Sequence, residues 1–96
     1  MNEVFIVSEI KTGSRVRLTS KGFYDGLEGI VKAFVPAGDN CKLYMDKYGI
    51  PRSLLYSSAI TSQKDRWLIE LRLKNEHKLY RVYVCKTCFD FELIKD

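Results

Sequence analysis

The sequence has few of the residues from which catalytic centres are usually built. It contains one histidine and three cysteines, and it has no nucleophile elbow, no phosphate-binding glycine loop and no evident pair of catalytic carboxylates. An odd number of cysteines without a secretion signal argues against a disulfide framework. We therefore predict a non-enzymatic protein with reduced thiols and no cofactor.

Long apolar runs are also missing. The longest, from Gly29 to Val35, is interrupted by Lys32 and is far shorter than the roughly 20 residues that a membrane-spanning helix needs. The N-terminal residues include Glu3 where a signal peptide would be positively charged. These features predict a cytoplasmic protein that does not enter a membrane.

The dominant pattern is an alternation with a period of two in aliphatic and aromatic residues, which is typical of strands with one buried face. The predicted strands are Val4 to Ile10, Arg15 to Thr19, Gly29 to Val35, Cys41 to Asp46, Arg66 to Lys74, Lys78 to Cys85 and Phe89 to Ile94. Short antiparallel strands in 96 residues favour an all-β fold closed into a small barrel, because closure removes exposed strand edges.

The alternation also predicts which side chains share a face. Val31, Ala33 and Val35 should face the same side of their strand. In the strand that begins at Arg66, an apolar face of Trp67, Ile69, Leu71 and Leu73 should oppose a mostly charged face of Leu68, Glu70, Arg72 and Lys74. The sequence Asn75-Glu76-His77 is expected to form the following short hairpin loop, in which Asn75 is able to take a positive φ. The segment from Arg52 to Gln63 fits either a strand or a helical turn.

Glycines punctuate the segment from Gly13 to Val31. Val16 and Leu18 alternate in its first strand, and a turn containing Gly22 leads into Gly26-x-x-Gly29-x-Val31. This pattern resembles the KOW motif of ribosomal proteins and transcription elongation factors, which implies a small SH3-like barrel. Glycines at positions 22, 26 and 29 would allow positive φ and a close approach of two strands.

The resemblance covers Gly13 to Val35 and Trp67 to Ile94. Residues 36–65 are longer than the usual connection, and we interpret them as a hairpin or loop inserted into a single domain.

In KOW-type domains the loop between the first two barrel strands commonly contacts RNA, DNA or protein. The residues that match this region are Arg17, Lys21, Phe23, Tyr24 and Lys32. A cation can neutralise a phosphate while a neighbouring ring stacks on a base. The alternative is that the cations are merely solvated and that the rings cover the mouth of the barrel.

A second candidate surface lies in the basic C-terminal half. Its members are predicted to form an outward row on two paired strands: Arg66, Arg72, Lys74, Lys78 and Arg81. Such a row can follow a phosphate backbone or an acidic protein surface. Outward charges on an antiparallel sheet are also ordinary solubilising residues, which Glu70 and Glu76 could pair with.

Cys85-Lys86-Thr87-Cys88 has the spacing of half a zinc site. Cys41 and His77 could complete a tetrahedral set, but nothing in their spacing supports this, and we predict no metal site.

The leading functional hypothesis is weakly sequence-specific binding of RNA or DNA in a transcription- or translation-related role, consistent with the net charge of +4. The alternative is a small viral or mobile-element protein that binds a host protein, such as a transcription or defence enzyme, and modulates it.

Overall fold

The computed structural model describes residues 10–19, 24–56 and 62–94. Its elements are the strands β1 (Arg15–Leu18), β2 (Glu28–Val35), β3 (Arg66–Asn75), β4 (Lys78–Lys86) and β5 (Phe91–Leu93), the helix α1 (Cys41–Lys47) and a 3-10 turn (Arg52–Leu54). The predicted strand from Val4 to Ile10 lies outside the described residues except for Ile10, and Gly22 lies outside them as well. Among the described residues no helix has the length and apolarity needed to cross a bilayer.

The strands form one antiparallel sheet, which confirms the predicted all-β fold. The strand order is β4-β3-β2-β1-β5, so the first four strands follow one another as a meander and the last returns beside the first. The predicted strand from Phe89 to Ile94 is reduced to Phe91–Leu93. β4 and β5 are the two edges of this sheet.

One face of the sheet, the inner face, carries a buried cluster that we call the inner core. It consists of Ile10, Val16, Leu18, Val31, Trp67, Ile69, Leu71, Val84 and Phe91. Both edge strands contribute to this one cluster. The sheet therefore curls around the inner core, and its opposite face becomes the outer face.

A β-bulge in β2 changes the direction of its side chains. Val31 pairs with Ile69 and Ala33 pairs with the adjacent residue of β3, so Lys32 is an extra residue in the ladder. Val31 consequently belongs to the inner core, whereas Ala33 and Val35 turn to the outer face. The predicted common face of these three residues is wrong, because a simple period of two cannot register an extra residue.

The predicted strand from Cys41 to Asp46 is instead the helix α1. Asn40 caps its start, since the Asn40 side chain accepts the backbone N–H of Lys42 at 2.9 Å. Cys41 and Met45 lie one turn apart on the buried side of the helix. The segment contains no β-branched residue, which removes the main local preference for a strand.

Helix α1 covers a second buried cluster on the outer face, the outer core. Its members are Ala33, Val35, Cys41, Met45, Leu68 and Tyr83. The face of β3 that was predicted to be mostly charged is therefore buried at Arg66, Leu68 and Glu70. Helix α1 is followed by the 3-10 turn, and Leu55 then forms a parallel bridge with Tyr83 of β4. Where a hairpin or loop was expected, the described residues 36–56 thus include a helix that covers the sheet.

In the turn between β3 and β4 the positive φ occurs at Glu76, where φ is 57°, although Asn75 is the residue type better suited to it. Asn75 instead pairs with Lys78 as the last rung of the ladder. The loop is therefore one residue shorter than the sequence suggested.

Two of the predicted structural glycines have the expected roles. Gly26 has a φ of 86°, as a turn glycine should. Gly29 is needed for close packing, because a Cβ there would lie 2.6 Å from Ile69 Cγ2, 2.8 Å from the Glu70 carbonyl oxygen and 2.8 Å from Leu71 Cδ2. The close approach of β2 and β3 therefore depends on a residue without a side chain at this position.

The substitution Gly29→Ala should destabilise the protein by roughly 3 kcal/mol, the upper part of the overpacking range, because a backbone oxygen cannot rotate away from the new methyl group. Gly38→Ala is the control: its Cβ would meet open space and only its φ of 88° is unfavourable, which should cost about 1 kcal/mol. Urea unfolding measures both. Equal losses would contradict the steric explanation.

Candidate interaction surface

The outer face over β5, β1 and β2 carries a ladder of alternating charges. Arg17 donates to Glu28 on β2 at 2.9 Å and to Glu92 on β5 at 3.3 Å. Arg15 donates to the other oxygen of Glu28 at 3.1 Å. These hydrogen bonds, first from Arg15 and then from Arg17, hold the pKa of Glu28 below its usual value. Arg17, one of the predicted binding residues, is thus paired with carboxylates on both neighbouring strands.

Further along the outer face, Glu70 is buried among cations. Its carboxylate is 2% exposed and accepts the Tyr83 hydroxyl at 2.7 Å. The charged groups that surround it are Lys32 at 3.6 Å, Arg72 at 3.6 Å and Arg81 at 3.5 Å. No hydrogen bond from a described residue reaches its Oε1 atom. One carboxylate thus organises three cations, which leaves an excess of positive charge.

Burial raises the pKa of Glu70. The hydrogen bond from Tyr83 and the charges of Lys32, Arg72 and Arg81 lower it by more than burial raises it, so the pKa lies below its usual value. For Tyr83, burial and the hydrogen bond to Glu70 both raise the pKa of the phenol. The pair is therefore a phenol donating to a carboxylate at neutral pH.

The end of the β3–β4 hairpin projects the predicted basic row, with two corrections. Arg72 and Arg81 are direct cross-strand partners, 72% and 55% exposed, and Lys74 follows Arg72 on the same outer face. Lys78 instead pairs with Asn75, which puts it on the opposite face of the hairpin. We call Arg72, Lys74, Lys78 and Arg81 the basic hairpin.

Arg66 is the second correction, because it does not point outward. It is 2% exposed, and its guanidinium donates to the carbonyl oxygens of Asp39 at 2.6 Å and Lys64 at 3.2 Å. Arg66 thereby ties the turn after β2 to the start of β3. Arg66 thus has a structural role. Sequence periodicity could not reveal this role, because the alternation assigns residues to the two faces of a strand but does not show what covers each face.

The loop predicted to bind is described only in part. Lys21 and Phe23 lie outside the described residues. Tyr24 packs against the inner core and meets Tyr56 edge to face, with ring centroids 5.1 Å apart. Burial, then the neighbouring phenols of Tyr80 and Tyr56, raise the pKa of Tyr24. The structure thus brings together three tyrosines that are far apart in sequence.

The Cys85-x-x-Cys88 pair is divided between the two cores. Cys85 packs against the outer core and Cys88 against the inner core. Burial, and then the adjacent Cys41, raise the pKa of Cys85, so this thiol is protonated at neutral pH. No group of three metal-ligating side chains occurs within residues 10–19, 24–56 and 62–94.

Comparison with protein-family models, curated proteins and solved structures yields no significant match. The resemblance to KOW-type barrels stays a prediction.

Sequence reasoning missed an aromatic groove at the opposite end of β3 from the basic hairpin. Its aromatic members are the buried Trp67 and the exposed Phe89, and Lys64, Asp65, Thr87 and Cys88 complete its lining. A hollow of about 350 Å³ adjoins Trp67, Cys88 and Phe89, and Phe89 is 81% exposed. The sequence indicated this exposed ring only weakly, because Phe89 was assigned to a predicted strand. In the structure Phe89 lies in the turn before β5 and is therefore exposed.

The substitution Glu70→Gln should destabilise the protein by roughly 1–3 kcal/mol at neutral pH, because three cations lose their counter-charge. The folded-state pKa of Glu70 is lowered, so its stabilisation is complete above about pH 4.3, the usual pKa of glutamate, and is lost as the pH falls through the folded-state value. The difference between the two proteins in urea unfolding should therefore shrink in acid.

Glu92→Gln provides the control, since the Glu92 side chain is 54% exposed and a surface ion pair contributes about 0–1 kcal/mol. A loss for Glu70→Gln that stays constant from pH 7 to pH 3 would contradict the electrostatic role of Glu70.

Proposed function

We propose that the protein is a binding module for nucleic acid, RNA or DNA, and that the basic hairpin makes the principal phosphate contacts. Recognition is weakly sequence-specific, because phosphate contacts position a nucleic acid without reading its bases. The resemblance of residues 13–31 to the KOW motif favours a transcription- or translation-related role.

The observation that carries the proposal is the pairing of Arg72 with Arg81. Like charges directly opposite each other on two strands destabilise a sheet. Here the cost is offset by Glu70, whose buried carboxylate lies 3.6 Å from Arg72 and 3.5 Å from Arg81. A buried acid that holds two exposed arginines side by side fixes their geometry without cancelling their combined charge, as a phosphate-binding surface requires.

The charge distribution along the sheet also favours the basic hairpin as the phosphate-binding surface. Over β1, β2 and β5, arginines face Glu28 and Glu92 closely enough to form ion pairs. On the hairpin, Lys74 and Lys78 form no ion pair with any described residue, and the acidic residue between them in sequence is Glu76 of the loop. Among the described residues, the hairpin therefore presents two cations without a paired acid beside the two arginines that share Glu70.

Affinity for a mixed-sequence oligonucleotide should fall roughly 20- to 40-fold between 50 and 200 mM salt if three phosphates are contacted. Lys74→Glu should weaken binding and reduce the slope of log affinity against log salt by about 0.7–1, because one counterion-releasing contact is lost. Fluorescence anisotropy with labelled RNA and DNA measures both effects.

Lys64→Glu makes the same change of charge at the other end of β3, roughly 30 Å away at the rise of a strand. It should leave the salt slope unchanged. Affinity that does not depend on salt, or equal effects of the two variants, would contradict the proposal.

A second function, binding of a protein partner, is favoured by the groove beside Phe89. A ring that is 81% exposed next to a hollow containing Trp67 is the kind of aromatic anchor that dominates protein interfaces.

In this case Phe89→Ser should abolish most of the recovery of one stoichiometric partner in a pull-down after nuclease treatment, because the anchor is removed. Leu43→Ser, at an exposed apolar residue of α1, serves as the control and should retain the partner. Recovered proteins that disappear with nuclease would rule out this second function.

A further inference from the structure

Tyr80 occupies a special position on the basic hairpin. It is 45% exposed and lies on the edge strand β4, opposite Leu73. Tyr80 lines two hollows. One, of about 170 Å³, is also lined by Arg72, Leu79 and Arg81. The other, of about 280 Å³, is formed by Tyr80 with the turn residues Asn75, Glu76, His77 and Lys78. Tyr80 is therefore shared by two hollows, each of which is also lined by a cationic side chain.

Tyr80 has other tyrosines in its neighbourhood, because its phenol and that of Tyr56 are both close enough to Tyr24 to raise the pKa of Tyr24. The backbone N–H of Tyr56 donates to the carbonyl oxygen of Tyr83 at 2.7 Å, which fixes Tyr56 beside β4. Tyr56 in turn meets Tyr24 edge to face. Leu79 is 76% exposed and adds an apolar side chain to the lining of the first hollow. The result is an aromatic ring with apolar and cationic neighbours at the exposed edge of the described sheet.

Cations alone do not distinguish single-stranded from double-stranded nucleic acid, since both present phosphates. An exposed ring does distinguish them, because the faces of the bases are stacked inside a duplex and become available only in a single strand. Stacking also tolerates any sequence, since every base has a π-face.

We propose that the basic hairpin binds single-stranded nucleic acid, with one base stacked on the Tyr80 ring and phosphates of the same strand near Arg81 on one side and Lys78 on the other. This inference rests on the proposed nucleic-acid function and specifies its substrate class. DNA and RNA share the required chemistry, so both are used in the test.

The test compares four labelled ligands of equal length by anisotropy at one salt concentration: a single-stranded DNA 12-mer, the RNA of the same sequence, the DNA duplex, and an abasic deoxyribose-phosphate strand. The single strands with bases should bind at least about 5-fold more tightly than the abasic strand and the duplex, since stacking of one base alters affinity by roughly 5- to 150-fold. This comparison uses the unaltered protein and so does not depend on the folding of any variant.

Variants then locate the stacking ring. Tyr80→Ala should weaken the binding of single strands by roughly 5- to 150-fold and should leave the binding of the abasic strand within about 2-fold. Tyr80→Phe keeps the ring and should bind like the unaltered protein. Tyr48→Ala, at another exposed tyrosine, is the matched control and should have no effect.

Salt-dependent binding that is equal for all four ligands and is unaffected by Tyr80→Ala would overturn this inference while the proposed function still stands. If none of the ligands binds, the proposed function and this inference both fail.

Discussion

The extra residue at Lys32 is the feature on which the rest of the architecture depends. Before this bulge, β2 directs Val31 into the inner core, and after it the strand directs Ala33 and Val35 toward helix α1. A chain of 96 residues has too little apolar material for two independent domains. Because Val31 packs in the inner core while Ala33 and Val35 pack in the outer core, β2 helps to bury both faces of a single sheet.

The position of the outer core also explains how Glu70 can be both buried and ionised. The outer core ends at Tyr83, whose hydroxyl reaches the carboxylate at 2.7 Å, and the basic side chains begin just beyond it. Glu70 thus lies at the boundary between packed and solvated parts of the outer face. A carboxylate at such a boundary is dry enough to interact strongly and still close enough to exposed cations to be compensated.

The sequence was most informative where a single rule operated. The alternation in β3 and the glycine spacing around Gly29 predicted strands, a turn and a close approach, because side-chain direction and the absence of a Cβ act locally. It failed where tertiary packing decided the outcome. Helix α1 is too short for its period to be recognised, and the bulge at Lys32 leaves no mark in a pattern of apolar residues.

The candidate surface follows the same division. Arg72, Lys74 and Arg81 could be placed on one face by counting residues, and Tyr24 was identified through its neighbourhood in the glycine-rich segment. The burial of Arg66 depends on the carbonyl oxygen of Asp39, which is distant in sequence. The meeting of Tyr24 with Tyr56 likewise depends on how residues 36–56 pack over the sheet, which no local pattern encodes.

The bridge between Leu55 and Tyr83 has a consequence for the behaviour of the protein at high concentration. Exposed strand edges invite pairing with another molecule and growth into aggregates. On β4, the carbonyl oxygen of Tyr83 already accepts the backbone N–H of Tyr56 of the same chain. Along the remainder of that edge, Lys78 and Arg81 would repel the same residues of a second molecule. The molecule thereby resists sheet extension along the edge that carries Lys78 and Arg81.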